Sequence, residues 1–186
     1  MPSVELRPLK PSDRAYAEEL LAENDLPTAD LDFSSLGSEP TSRLDSPAGS
    51  DPDSSPTALF VCESADGERV GVGGLEVGDE EEVADKEEVA SEAETEDPAG
   101  LLRSVAVEES ARGAGYGTAI CEQLLDRARA ADLGEVFLLT TTAEEFFADL
   151  GFERVEREQV PDSIRASAEF SDLCPDSATC MRTNLK

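Results

Sequence analysis

Apolar and polar residues alternate over residues 4–9, the period of a half-buried strand, and Pro11, Ser12 and Asp13 supply helix-start chemistry before Tyr16, Ala17, Leu20 and Leu21. The pattern predicts a strand feeding an amphipathic helix. Residues 57–63 and 69–77 read as two further strands, joined across Asp66-Gly67, a pair that favours a hairpin turn. They should pair antiparallel. A fourth strand over 101–107, a helix over 115–131 and a strand over 135–141 follow, with Ile120, Leu124, Ala128 and Ala131 on one helical face. Strand, helix, strand in this order implies a crossover and local parallel pairing. A helix over 143–150 is marked by capping-box spacing between Thr142 and Glu145, and by Gly151 at the left-handed cap position. The tail is expected to hold a strand near 154–158, a helical turn from Pro161 and a last strand near 178–183.

Two stretches break this rhythm. Residues 34–56 are dense in Ser, Pro, Gly and Asp and read as a long mobile loop. Residues 78–100 are an acidic run that reads as a solvated insertion without a core of its own. The 186 residues otherwise fit one domain, 1–186.

Acidic residues outnumber basic ones 43 to 15, for a net charge of -28, and only three of the basic residues are Lys. Such a surface repels nucleic acid and anionic membranes, and its spread along the chain suggests a halophilic protein adapted to a salt-rich cytoplasm. No His is present, and the four Cys form no CxxC pair, so no metal site is expected. No signal-peptide core or membrane span is legible, which implies a reduced, cytoplasmic setting with cysteines that pack as small hydrophobes.

The chemistry concentrates at Arg112-Gly113-Ala114-Gly115-Tyr116-Gly117, where three glycines alternate just ahead of a helix. Their N–H groups can approach a ligand unobstructed, the helix adds its positive end, and Arg112 adds a charge, so the loop suits a pyrophosphate. It is not the GxGxxG of a dinucleotide fold, and it lacks the Lys-Ser/Thr of a P-loop. A tight turn that merely packs helix on strand is the structural alternative.

This loop resembles the Q/R-x-x-G-x-G/A signature of the GNAT acyltransferase superfamily, and residues 146–152 (FFADLGF) are similar to its FYxxLGF segment. The run LLRSVAV, then LLTTTAEEFFADLGF, then PDSIRASAEFSDLCP, resembles the branch of arsenic-resistance N-acetyltransferases that stands near amino-acid N-acetyltransferases. The resemblance implies an α/β (α+β) fold: a mixed, twisted sheet of about six to seven strands flanked by about four helices, with the fourth and fifth strands splayed apart. It implies acetyl-CoA as cosubstrate and a small-molecule amine as acceptor, an amino acid or an arsenical analogue. A homodimer is left open.

On that resemblance, Val105, Ala106 and Val107 present backbone groups to the pantetheine arm and the thioester, where amide donors stabilise an oxyanion. Arg112, Gly113, Ala114, Gly115, Gly117 and Thr118 bind the pyrophosphate, with Tyr116 packing beside them. Phe147 takes the place where many members carry a Tyr near the cofactor sulfur. It cannot donate a proton. Glu76 is then the candidate base, acting through water, with an ordinary strand Glu as the alternative, and a hydroxyl of Thr140, Thr141 or Thr142 is the candidate acid. Thr141 carries that role best, since Thr142 has a capping role to fill. Arg103 either grips a substrate carboxylate or forms a buried ion pair with one of the many acids. Arg165 is a weaker carboxylate ligand, and Cys174 could touch a thiophilic substrate or simply pack. A non-catalytic acyl-CoA-binding sensor and a dinucleotide-binding protein are the rival readings.

Overall fold

The computed structural model describes residues 2–28, 57–78, 98–167, 170 and 177–186. Within them the chain forms β1 (Val4–Pro8), α1 (Arg14–Glu23), β2 (Thr57–Ser64), β3 (Arg69–Val77), β4 (Ala99–Val107), α2 (Tyr116–Ala130), β5 (Glu135–Thr140), α3 (Glu144–Asp149), β6 (Glu153–Arg154), α4 (Asp162–Arg165) and β7 (Thr179–Asn184). The seven strands make one mixed sheet in the order β1-β2-β3-β4-β5-β7-β6. The β2–β3 hairpin turns at Gly67, whose φ is +80°, and Gly67 N–H donates to Ser64 O at 2.8 Å.

Apolar residues sort to the two sheet faces as strand alternation requires. On one face Ile120, Leu124 and Ala128 of α2 pack with Phe60, Leu102, Val136 and Leu138. Close approach of α2 depends on β3 glycines: a Cβ on Gly73 would stand 2.8 Å from Leu124 Cδ1. On the other face Leu20 and Leu21 of α1 cover Leu59, Val61, Val72 and Ala106, while Ile164 of α4 covers Leu101 and Phe137. Each fully buried aliphatic side chain contributes about 1.5–3 kcal/mol by leaving water. The edge strand β1 is closed by α2: Gln123 accepts from Leu6 N–H and donates to Val4 O, and Arg127 donates to Leu6 O.

Among the described residues β4 and β5 are the single parallel pair, and their pairing is short. It runs from Ala99 opposite Glu135 to Leu101 opposite Phe137, after which the strands separate. The expected splay is present.

Several expected boundaries are corrected. β4 begins at Ala99, so residues 99–100 belong to the sheet rather than to the acidic run; both are buried, with Gly100 held against Leu133. Gly115 is the left-handed N-cap of α2, which starts one residue later than expected. The capping box of Thr142 and Glu145 is not formed: α3 starts at Glu144, and Thr140 Oγ1 accepts the Ala143 N–H at 3.0 Å. The chain leaves β5 at Thr140, so that hydroxyl is the one left facing the turn. The strand near 154–158 is cut to β6, two edge residues paired with Arg182 and Met181, before a 3-10 turn at Arg157–Gln159. The loop expected over 34–56 and most of the acidic run lie outside the described residues.

Candidate active site

The fork between β4 and β5 opens a cleft of about 630 Å3. One wall is β4 from Leu102 to Val105, with Val107; the other is Leu138 to Thr142, continued by Phe146 and Phe147 of α3. The glycine loop closes one end, and Asn24 to Pro27, just past α1, form part of the rim.

β4 is irregular where it lines this cleft. Its register with β3 passes from Arg103 opposite Gly74 to Ala106 opposite Val72, so Ser104 and Val105 together face Gly73. Two residues against one make a β-bulge, which interrupts the ladder locally. Ser104 takes φ +55°, a left-handed conformation costly to any residue but glycine. With β5 already departed, backbone groups of this segment turn to the cleft.

At the loop, Gly113 and Gly115 have φ of +76° and +87°. The N–H groups of Gly113, Ala114 and Gly115 donate to no protein acceptor among the described residues. The first helical bond of α2 runs from Ala119 N–H to Gly115 O at 3.1 Å, which leaves the N–H groups of Tyr116, Gly117 and Thr118 at the open end. Successive amides and a helix N-terminus together fit a pyrophosphate. Arg112 donates from Nε to Val107 O at 3.3 Å and from Nη2 to Asn24 Oδ1 at 2.8 Å, bridging the end of β4 to the end of α1.

The other expected residues distribute unevenly. Val105, Val107, Gly113, Gly115, Gly117, Thr118, Thr141 and Phe147 line the cleft, whereas the Ala106 side chain packs on the opposite face beneath α1. Ala114 is exposed in the loop, and Tyr116 packs against the main core. Phe147 sits edge-on between Phe146 and Phe152, with ring centroids 5.0 and 5.8 Å away. Arg103 lines the cleft but is ion-paired: its Nη1 donates to Glu76 Oε2 at 2.9 Å, and Thr57 Oγ1 donates to the same oxygen at 3.0 Å. Glu76 is therefore buried behind β4. Arg165 is exposed on α4 and paired with Asp162 at 3.0 Å, away from the cleft lining. Cys174 lies outside the described residues.

Burial pushes the thiols of Cys62 and Cys180 up to about 11 and that of Cys121 to about 12, so none is a ready nucleophile. Among the described residues no cluster of His, Cys, Asp and Glu could hold a metal ion, and no helix is long and apolar enough to cross a membrane.

Two contributors were missed from the sequence. Asn24 carried no signal, because its contact with Arg112 joins residues far apart in the chain. Ser104 looked like an ordinary strand position; the glycine pair at 73–74 opposite it was the only hint of a bulge.

The model of the acetyltransferase (GNAT) family matches residues 25–152, a span that includes the β4–β5 fork, the bulge and the glycine loop. The chain belongs to this family. Its sequence is 39% identical over 75 residues to an amino-acid acetyltransferase of Mycobacterium tuberculosis, covering 40% of each chain. It is 30% identical over 66 residues to one of Neisseria meningitidis, covering 36% of this chain and 15% of that protein. The chain thus spans well under half the length of these curated relatives. The crystal structure of a Mycobacterium tuberculosis protein in complex with CoA superposes with a TM-score of 0.61 at 25% identity, over 98% of this chain and 99% of that one.

Proposed function

We propose that this GNAT chain transfers an acetyl group from acetyl-CoA to the amine of a small metabolite, with an amino acid or an amino-acid-like arsenical as acceptor. The observation that carries it is the cleft itself: a splayed β4–β5 fork that ends on the start of α2 and on loop amides without a partner among the described residues. The likeness to proteins named amino-acid acetyltransferases supports the acceptor class.

In this reading the neutral amine attacks the thioester carbon, a C–N bond forms, the C–S bond breaks, and the thiolate takes a proton while the amine loses one. The Gly113–Thr118 amides and Arg112 hold the pyrophosphate. Val105 N–H, on the bulge, supports the acyl oxygen. Glu76, expected as a base, is taken up in this reading by the buried pair with Arg103 in the cleft wall. Thr141, exposed on the facing wall, is the hydroxyl nearest to a proton-relay role.

The test is thiol release from acetyl-CoA with a panel of amino acids, L-glutamate included, and an arsenical amino-acid analogue, at low and molar salt, with the acetylated product identified by mass. Product with one or more amines is expected. Failure to bind acetyl-CoA would overturn the proposal. Binding without product on any acceptor would favour an acyl-CoA sensor, the reading that Phe147, a ring without a hydroxyl, motivates.

A further inference from the structure

Two energetic costs fall on a single residue of the cleft wall. Ser104 holds φ +55° without being glycine, and its hydroxyl is buried with no hydrogen-bond partner among the described residues. The residue is 4% exposed yet lines the cleft. Glycine would relax the backbone, and alanine would remove an unsatisfied polar group, so neither packing nor chain geometry explains a serine here. Strain and an unmet donor at one point mark a place where a ligand supplies the missing partner.

Covalent geometry limits what that partner is. Ser104 Oγ is four bonds from the N of Val105, so a hydroxyl and an amide N–H are held side by side on the bulge. Two donors so close in the chain suit a single acceptor with two lone pairs, a carbonyl oxygen. Arg103, the neighbour on the other side, has its charge offset by Glu76 at 2.9 Å, so this part of the wall carries no bare cation to compete for the acceptor.

We infer that Ser104 is a further catalytic residue, its hydroxyl donating to the acyl oxygen of the bound thioester beside the Val105 N–H. The inference rests on the acetyl-CoA reading above. The acyl oxygen gains charge as the tetrahedral intermediate forms, so the bond strengthens toward the transition state and acts on kcat more than on binding.

The test is the carbonyl stretch of acetyl-CoA labelled with 13C at the carbonyl, read by difference infrared spectroscopy on the bound complex, which requires no knowledge of the acceptor. Expected is a band shifted to lower frequency on wild type than on Ser104→Ala, with acetyl-CoA affinity within about twofold. Ser104→Gly should show the same loss of shift while its Tm rises by about 2–4 °C, because the left-handed strain is relieved. That rise also shows that the variant is folded. Where an acceptor supports turnover, both variants should lose about 10–100-fold in kcat with little change in KM for acetyl-CoA. An unchanged carbonyl band in both variants overturns the role of Ser104 and leaves the acetyltransferase reading standing. Failure of wild type to bind acetyl-CoA overturns both.

Discussion

Arg103 and Glu76 meet at 2.9 Å across neighbouring strands with side chains only 2% and 4% exposed, so the central sheet contains an ion pair removed from water. Breaking such a pair strands a charge, whereas replacing both partners by apolar groups of similar size removes the desolvation cost with the attraction. Glu76→Ala should therefore lose about 3–5 kcal/mol, and Glu76→Leu with Arg103→Met should recover most of it. Urea unfolding of the single and double variants checks this. Equal losses in both would show that the pair is not acting as a unit.

Gly115 stands at φ +87°, and a Cβ there would lie 3.3 Å from Pro2 Cδ. Gly115→Ala should cost about 1–2 kcal/mol through its left-handed backbone alone. It should also weaken CoA binding about tenfold, while a pantetheine fragment lacking the diphosphate binds both proteins equally. Titration calorimetry with the two ligands separates the loop's phosphate role from a purely structural one.

Asp13 sits at the turn into α1, where Arg7 at 2.6 Å and the Lys10 N–H at 3.1 Å hold its carboxyl below the usual carboxylate range. A depressed value means that the stabilisation is complete above the ordinary pKa of about 3.9 and is lost as pH falls through the lowered one. Asp13→Asn should be about 1–3 kcal/mol less stable than wild type at pH 6, in line with loss of charge-assisted hydrogen bonds. The gap should close on acidification below about pH 3.9. Parallel unfolding curves from pH 7 to 2 measure it.

With a net charge of -28, self-repulsion opposes the compact state, and salt screens it over about 3 Å at 1 M against about 10 Å at 0.1 M. The thermal midpoint should climb steadily between 0.1 M and molar KCl. A flat profile would remove the salt-adapted reading of the composition.

Elements whose signal is local were legible in the chain. The β2–β3 hairpin followed from Asp66-Gly67, α2 from its 3.6-residue apolar face, and the turn ahead of α2 from its alternating glycines, because each depends on residues within a few positions of one another. Boundaries that depend on a neighbour were not. Ala143 became the N-cap of α3 and its N–H went to Thr140 rather than Thr142 because the end of β5 decides which hydroxyl faces the turn, and the 154–158 strand shrank because its edge position offers only β7 to pair with.

The candidate site divides the same way. Residues 112–118 and 146–152 carried the resemblance to the family, and 112–118 the expectation of an anion-binding loop, since glycine spacing ahead of a helix constrains the backbone wherever the helix packs. Tertiary structure alone chose the ion-pair option for Arg103, by setting Glu76 diagonally across from it, opposite Leu101 in the β3–β4 register, and it alone set the bulge that makes Ser104 unlike its strand neighbours. The reason is common to both: a strand's sequence states which side chains alternate, while register, known only once the sheet forms, decides what each one meets.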